Sequence, residues 1–137
     1  MKKKGSLLED GSVYIFNKLG DYLAAAPEAR LFSARDAAGR LLACAIGDYS
    51  SFSTAFYMFA FRSPSAPPGT ADALLAALAA EGAERGHSLL NLGLGMGPGV
   101  SFFKKKWGAR PSLPCVETSW SPTPEKRRGW LARMFGH

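Results

Sequence analysis

Asn91 to Pro111 reads NLGLGMGPGVSFFKKKWGARP, and this stretch joins two hydrophobic patterns across a run of glycines. An apolar strand, Leu89 to Leu94, leads into it. The glycines at 93, 95, 97 and 99 permit a tight turn with unhindered N–H groups. Pro98 suits a first helical turn, where a missing N–H costs nothing. A short helix then runs to Trp107-Gly108, with Val100, Phe103 and Trp107 on one face. Strand, glycine turn and helix in that order place the chain in the α/β class.

Upstream, the pattern is that of a β-meander. Leu31 to Arg35 is a short strand, Asp36 to Gly39 a turn, and Arg40 to Asp48 the return strand. Leu42, Cys44 and Ile46 share one face of that strand. The small side chains of Ala43 and Ala45 on the other predict a helix packed closely against it. Thr54 to Arg62 is apolar on both faces, with Ala55, Tyr57, Phe59 and Phe61 set against Phe56, Met58 and Ala60. That marks the middle of a covered sheet. Ser63 to Gly69, SPSAPPG, breaks the chain. Thr70 is placed to cap an Ala-rich helix from Ala71 to Arg85, with Leu74, Leu75 and Leu78 as its core stripe and Gly86 as its stop. At the N-terminal end, Ser12 is a candidate cap for a helix carrying Ile15, Phe16, Leu19, Tyr22 and Leu23. Downstream, Leu113 to Trp120 reads as a last strand. The resulting order, α-β-β-β-α-β-α-β, predicts a mixed, mostly antiparallel central sheet flanked by helices.

The chain of 137 residues is sized for one domain, 47% hydrophobic and 20% charged. Residues 1–10 read as a flexible leader, 11–122 as the domain and 123–137 as a basic amphipathic tail. No uncharged apolar stretch approaches the about 18 residues that span a bilayer, and Glu9-Asp10 cut short any secretory signal. Two widely spaced cysteines, Cys44 and Cys115, form neither a disulfide framework nor a metal-ligand pair, so a cytoplasmic location and no metal are expected. The net charge of +6 is unevenly placed. Residues 1–103 balance nine basic against nine acidic side chains, and residues 104–137 carry eight basic and two acidic. A basic surface of that kind attracts anionic partners such as nucleic acid, phosphorylated ligands or membrane lipid.

Leu89 to Gly108, with its strand, glycine turn and Phe103-Lys104-Lys105-Lys106-Trp107-Gly108 ending, resembles the last block of the FemAB-like (BioF2-like) branch of the GNAT acyltransferase superfamily. The resemblance spans roughly residues 30–118. It implies a GNAT-like domain with the usual first strand missing or reduced, and it implies transfer of an acyl or aminoacyl group to an amine. Lys104 then stands where the branch has a lysine that contacts an anionic substrate, and a lysine is a compact charge suited to phosphate. Tyr57 and Asp48 are the candidates to line the cleft, Tyr57 orienting the acceptor and Asp48 serving as base.

In GNAT enzymes the diphosphate of acetyl-CoA lies in the turn after the central strand, on N–H groups at a helix N-terminus. The corresponding residues here run from Arg62 to Thr70, with Arg62, Gly69 and Thr70 as the candidate phosphate contacts. Three prolines in that turn remove three donors. The Gly95, Gly97 and Gly99 turn is a second candidate anion site. The possible donors are therefore acetyl-CoA or another acyl-CoA, or an aminoacyl-tRNA, which the FemAB-like branch uses. Two further readings stay open. One is a catalytically degenerate GNAT-like module that binds a partner or an anionic surface through its basic C-terminal quarter. The other, nucleic-acid binding without catalysis, lacks a docking motif. The tail, with Trp130, Leu131 and Phe135 between Arg127, Arg128 and Arg133, suits a membrane surface. An open sheet edge would favour a homodimer.

Overall fold

The computed structural model describes residues 6–94, 97–114, 116 and 118–120. Helix α1 (Ser6–Ala25) is followed by strands β1 (Ala29–Arg35), β2 (Leu41–Asp48) and β3 (Thr54–Arg62). Helix α2 (Thr70–Glu84), strand β4 (Leu89–Asn91) and helix α3 (Pro98–Lys106) complete the fold. The sheet has the order β1-β2-β3-β4, with β1, β2 and β3 antiparallel and β4 parallel to β3. A parallel neighbour needs a crossover, and α2 supplies it.

The β1–β2 turn forms as its residues dictate. Gly39 takes φ 80°, and the Asp36 carboxylate accepts the N–H groups of Ala38 and Arg40, each at 2.9 Å. Beyond it, Ala43, Ala45 and Gly47 turn one face of β2 to α2. Ala43 and Ala45 are fully buried and cluster with Leu74. A Cβ on Gly47 would lie 2.9 Å from the Leu78 side chain, so the helix approaches as closely as those small residues allow. On α2, Leu74, Leu75, Leu78 and Gly82 are the buried positions, which matches the expected stripe.

Strand β3 does not keep a single alternation. Ile46 pairs with Phe59 but Gly47 pairs with Tyr57, which leaves Met58 unopposed in a bulge. The bulge reverses which side chains face which helix. Ala55 and Tyr57 pack on the α2 side. Phe59 and Phe61 instead face α1, where Phe16 meets them edge-on at 6.3 and 6.0 Å between ring centroids. The expected common face for all four is therefore corrected.

Other expectations also change. α1 starts at Ser6, so Ser12 lies inside a helix and residues 6–10 of the expected leader are helical. Gly69, in the left-handed region, is the N-cap of α2 with no side-chain bond, and Thr70 is its first residue instead of its cap. Among the described residues of 113–120 there is no strand, and Leu113, Val116 and Trp120 are exposed. Pro111 and Pro114 deny that segment the donors a ladder requires. β4 is thus an edge strand among the described residues, as β1 is at the other side. Cys115 and the basic tail, residues 123–137, lie outside the described residues.

Candidate active site

β3 and β4 share only three paired positions, Thr54 with Leu89, Ala55 with Leu90 and Phe56 with Asn91. Past Asn91 the second strand leaves the sheet, while β3 continues to Arg62 with no strand beside that edge among the described residues. The sheet is splayed at this point. Local chemistry drives the departure: the Asn91 side-chain oxygen accepts the Gly93 N–H at 2.8 Å, and Gly93 takes φ 69°. The positive φ alone calls for glycine, because an added methyl would meet only ordinary contact distances. A Cβ there would lie 3.9 Å from the Lys104 ammonium and 4.0 Å from the Tyr57 carbonyl.

Lys104, in the last turn of α3, sends its Nζ back along the helix to donate to the Leu94 carbonyl. Its ammonium therefore sits in the splay, beside the backbone of both parting strands. Burial lowers its pKa from the ordinary lysine value. Gly108, just past the helix that carries it, takes φ 78° and bonds its N–H to the Lys105 carbonyl at 2.9 Å.

The other expected site residues scatter. Tyr57 packs on the α2 side of the sheet, and burial raises its phenol pKa, so it stays a hydroxyl. Asp48 lies on the opposite face, where Tyr22 of α1 donates to one carboxylate oxygen and Ser50 donates its N–H at 2.9 Å and its hydroxyl at 2.5 Å to the other. Burial raises the Asp48 pKa, but the bonds from Ser50 and Tyr22 outweigh it and the net shift is downward. A carboxylate so committed, and on the far face, does not share a cleft with Tyr57 and Lys104. Gly97, φ 81°, caps α3 and Gly99 lies inside its first turn, whereas Gly95 lies outside the described residues. Cys44 is buried and its thiol pKa is pushed up, which makes it a core residue. His87 is a clasp: its Nε2 lies 2.9 Å from the Ser51 carbonyl and 3.3 Å from that of Tyr49. No cluster of three metal-ligating side chains occurs among the described residues.

The turn from β3 into α2 commits several of its donors to carbonyls. Arg62 donates to the Ala66 carbonyl at 3.0 Å, and the Thr70 hydroxyl donates to Pro67 O at 2.7 Å. Backbone N–H groups of Ser63, Ala66 and Thr70 are taken by Leu42, Ser63 and Pro67 carbonyls. In the first turn of α2, Asp72 brings a carboxylate. It accepts Lys106 Nζ at 2.8 Å and the Trp107 indole N–H at 2.8 Å. Sequence reasoning missed this latch, because its partners lie 34 and 35 residues apart in the chain. Between α2, β4 and the end of α3 is an apolar cavity of about 170 Å³, lined by Leu75, Leu90, Leu92, Trp107, Gly108 and Ala109.

A three-stranded meander, a crossover helix, a parallel strand splayed from the central one and a helix closing the gap have close structural counterparts. This is the GNAT fold. A putative acetyl transferase from Pyrococcus furiosus superposes with a TM-score of 0.66 at 17% identity, covering 88% of this chain and 83% of that one. An aminoglycoside N-acetyltransferase in complex with CoA gives 0.63 at 16%, covering 88% and 96%. A ribosomal-protein-alanine N-acetyltransferase from Brucella melitensis gives 0.61 at 18%, covering 74% and 78%. No family model and no curated protein matches the chain in sequence. Within the GNAT fold, the splay at Gly93 and Tyr57 and the helix bearing Lys104 stand together. No helix among the described residues is long and apolar enough to cross a membrane.

Proposed function

We propose that the chain is an N-acyltransferase whose reaction takes place in the β3–β4 splay, with Lys104 as its acid. The observation that carries this reading is the Lys104 ammonium, drawn into the splay beside a strand edge that is unpaired among the described residues. The free edge of β3 can hold an extended, amide-bearing substrate arm as a neighbouring strand would. The amine lone pair of the acceptor attacks the donor carbonyl carbon, and a C–N bond forms. The oxyanion that develops lies near a fixed positive charge. As it collapses, the C–S or C–O bond breaks and the leaving group takes a proton from Lys104. The proton shed by the acceptor nitrogen restores the lysine through solvent. A lysine whose pKa is lowered is the better donor in that step.

Among the described residues no carboxylate stands at the splay to serve as base, so the acceptor arrives as the free amine and proximity supplies much of the acceleration. The Phe103-Lys104 to Gly108 pattern and the proline-rich turn support the FemAB-like branch and an aminoacyl donor. The open β4 edge supports pairing of two copies. The bonded turn before α2 favours, as a second reading, a domain that binds without turnover.

The decisive test is Lys104→Ala assayed with activated acyl esters and amines. Turnover should fall about 100-fold, the scale of a lost acid catalyst, while Tm stays close to that of the parent. Unchanged turnover would remove Lys104 from the chemistry.

A further inference from the structure

β4 ends at Asn91, and beyond it Gly93 and Leu94 make no backbone–backbone hydrogen bond among the described residues. Gly93, at φ 69°, has no backbone preference of its own that would fix the path of the chain. One side-chain bond fixes it instead. The Asn91 carbonyl oxygen accepts the Gly93 N–H at 2.8 Å, the local bond by which an asparagine turns a chain out of a ladder. One residue further on, the Leu94 carbonyl accepts Lys104 Nζ. Lys104 has a long, flexible stem, and among the described residues that carbonyl is its one hydrogen-bond partner. Its charged neighbours on α3 are Lys105 and Lys106, and Lys106 is tied to Asp72. β4 carries no charged side chain, and β3 carries none before Arg62 at its far end.

Resting on the acyl-transfer reading, we infer that Asn91 is the positioning residue of this site: its side-chain oxygen shapes residues 91–94 so that the Leu94 carbonyl holds the Lys104 ammonium in the splay. Asn91 acts through the backbone and touches no reacting atom. An aspartate can accept the same N–H and an alanine cannot. The aspartate also brings a charge. Gly93 borders both groups, since its N–H reaches Asn91 and a Cβ there would stand 3.9 Å from Lys104 Nζ. A carboxylate at position 91 is therefore close enough for the ammonium to feel it.

The test reads Lys104 directly, by NMR titration of the full chain labelled at lysine Cε, in the parent, Asn91→Ala and Asn91→Asp. Burial holds the Lys104 pKa below the ordinary lysine value in the parent. Asn91→Ala should release the ammonium to water and raise its midpoint toward that ordinary value. Asn91→Asp should raise it too, through the added opposite charge. Turnover then separates the two variants, with phenyl acetate as donor and n-butylamine as acceptor. For Asn91→Ala, kcat should fall about tenfold with KM little changed, since a misplaced acid degrades the chemical step alone. Asn91→Asp should restore kcat to within about threefold of the parent, because the bond to Gly93 is kept. The basic limb of its pH profile should move upward, because the carboxylate keeps the ammonium protonated to higher pH. A merely structural asparagine would leave that limb where it was. A Lys104 midpoint unmoved in both variants would overturn the inference and leave the transferase reading standing. So would parental kcat in Asn91→Ala beside a Lys104→Ala protein that has lost turnover. A Lys104→Ala protein that matches the parent in turnover would sink the transferase role of Lys104 and the inference with it. If Asn91→Ala does not fold, Asn91→Asp decides alone, and an unmoved midpoint and basic limb overturn the inference.

Discussion

Lys106 of α3 is joined to Asp72 of α2 at 2.7 Å, and the neighbouring Trp107 indole donates to the same carboxylate at 2.8 Å. One side chain thereby fastens the helix that carries Lys104. Asp72→Ala should free the C-terminal turn of α3, because no other polar contact from that turn reaches α2 among the described residues. Amide exchange measured along α3 should accelerate while the core of α2 is unchanged, and the difference from the parent should shrink as salt rises. Equal exchange in the two proteins would show that apolar contact alone holds α3.

Gly47 and Leu78 provide a packing test. A Cβ at position 47 would lie 2.9 Å from two Leu78 atoms and 2.9 Å from the Tyr49 hydroxyl, which is itself bonded to the Leu78 carbonyl. Gly47→Ala should therefore cost about 1–3 kcal/mol, in the range of overpacked cores. Denaturant titration reads this directly, and a midpoint equal to the parent's would show that α2 can shift away at no cost.

Gly93→Ala separates strain from chemistry at the splay. The added methyl must accept a positive φ, at about 1–2 kcal/mol, and points between Lys104 and the Tyr57 carbonyl. Turnover should drop further than stability does. A variant with full activity would place the reaction elsewhere than the splay.

Asp48 should matter for stability against acid and little for turnover. Its folded pKa lies below the usual 3.8, as do those of Asp36 and Asp72. Stability from these groups is present above pH 3.8 and is lost as pH falls through the lower folded values. Tyr22, raised to about 12 by burial and then by its bond to Asp48, behaves in the opposite sense. Its contribution holds below pH 10 and disappears as pH rises toward 12. Asp48→Asn should flatten the acid limb of a Tm-against-pH curve and keep most of the activity. A collapse of turnover in a well-folded Asp48→Asn protein would restore Asp48 as the base.

Much of this fold was legible because its elements are announced locally. Gly39, Gly86 and Pro98 stand where turn and helix geometry require them, and Ala43 and Ala45 foretold a helix at close range. Lys104 was singled out through its place before Trp107-Gly108, and its ammonium bonds the Leu94 carbonyl. The Met58 bulge was not, because every side chain from Ala55 to Phe61 is apolar and either alternation looks equally good. Nor was the fate of Asp48. A carboxylate at the end of a strand reads the same whether it meets a substrate or, as here, a tyrosine 26 residues away.

Periodicity, turn residues and charge placement determined the α/β order, the crossover and the basic C-terminal quarter, since each depends on near neighbours in the chain. Tertiary structure alone decided where β4 parts from β3, which face Tyr57 and Asp48 occupy, and that Asp72 ties α3 to α2. Those outcomes depend on contacts between residues far apart in sequence. Their energies are set by distance and burial, which no local pattern encodes.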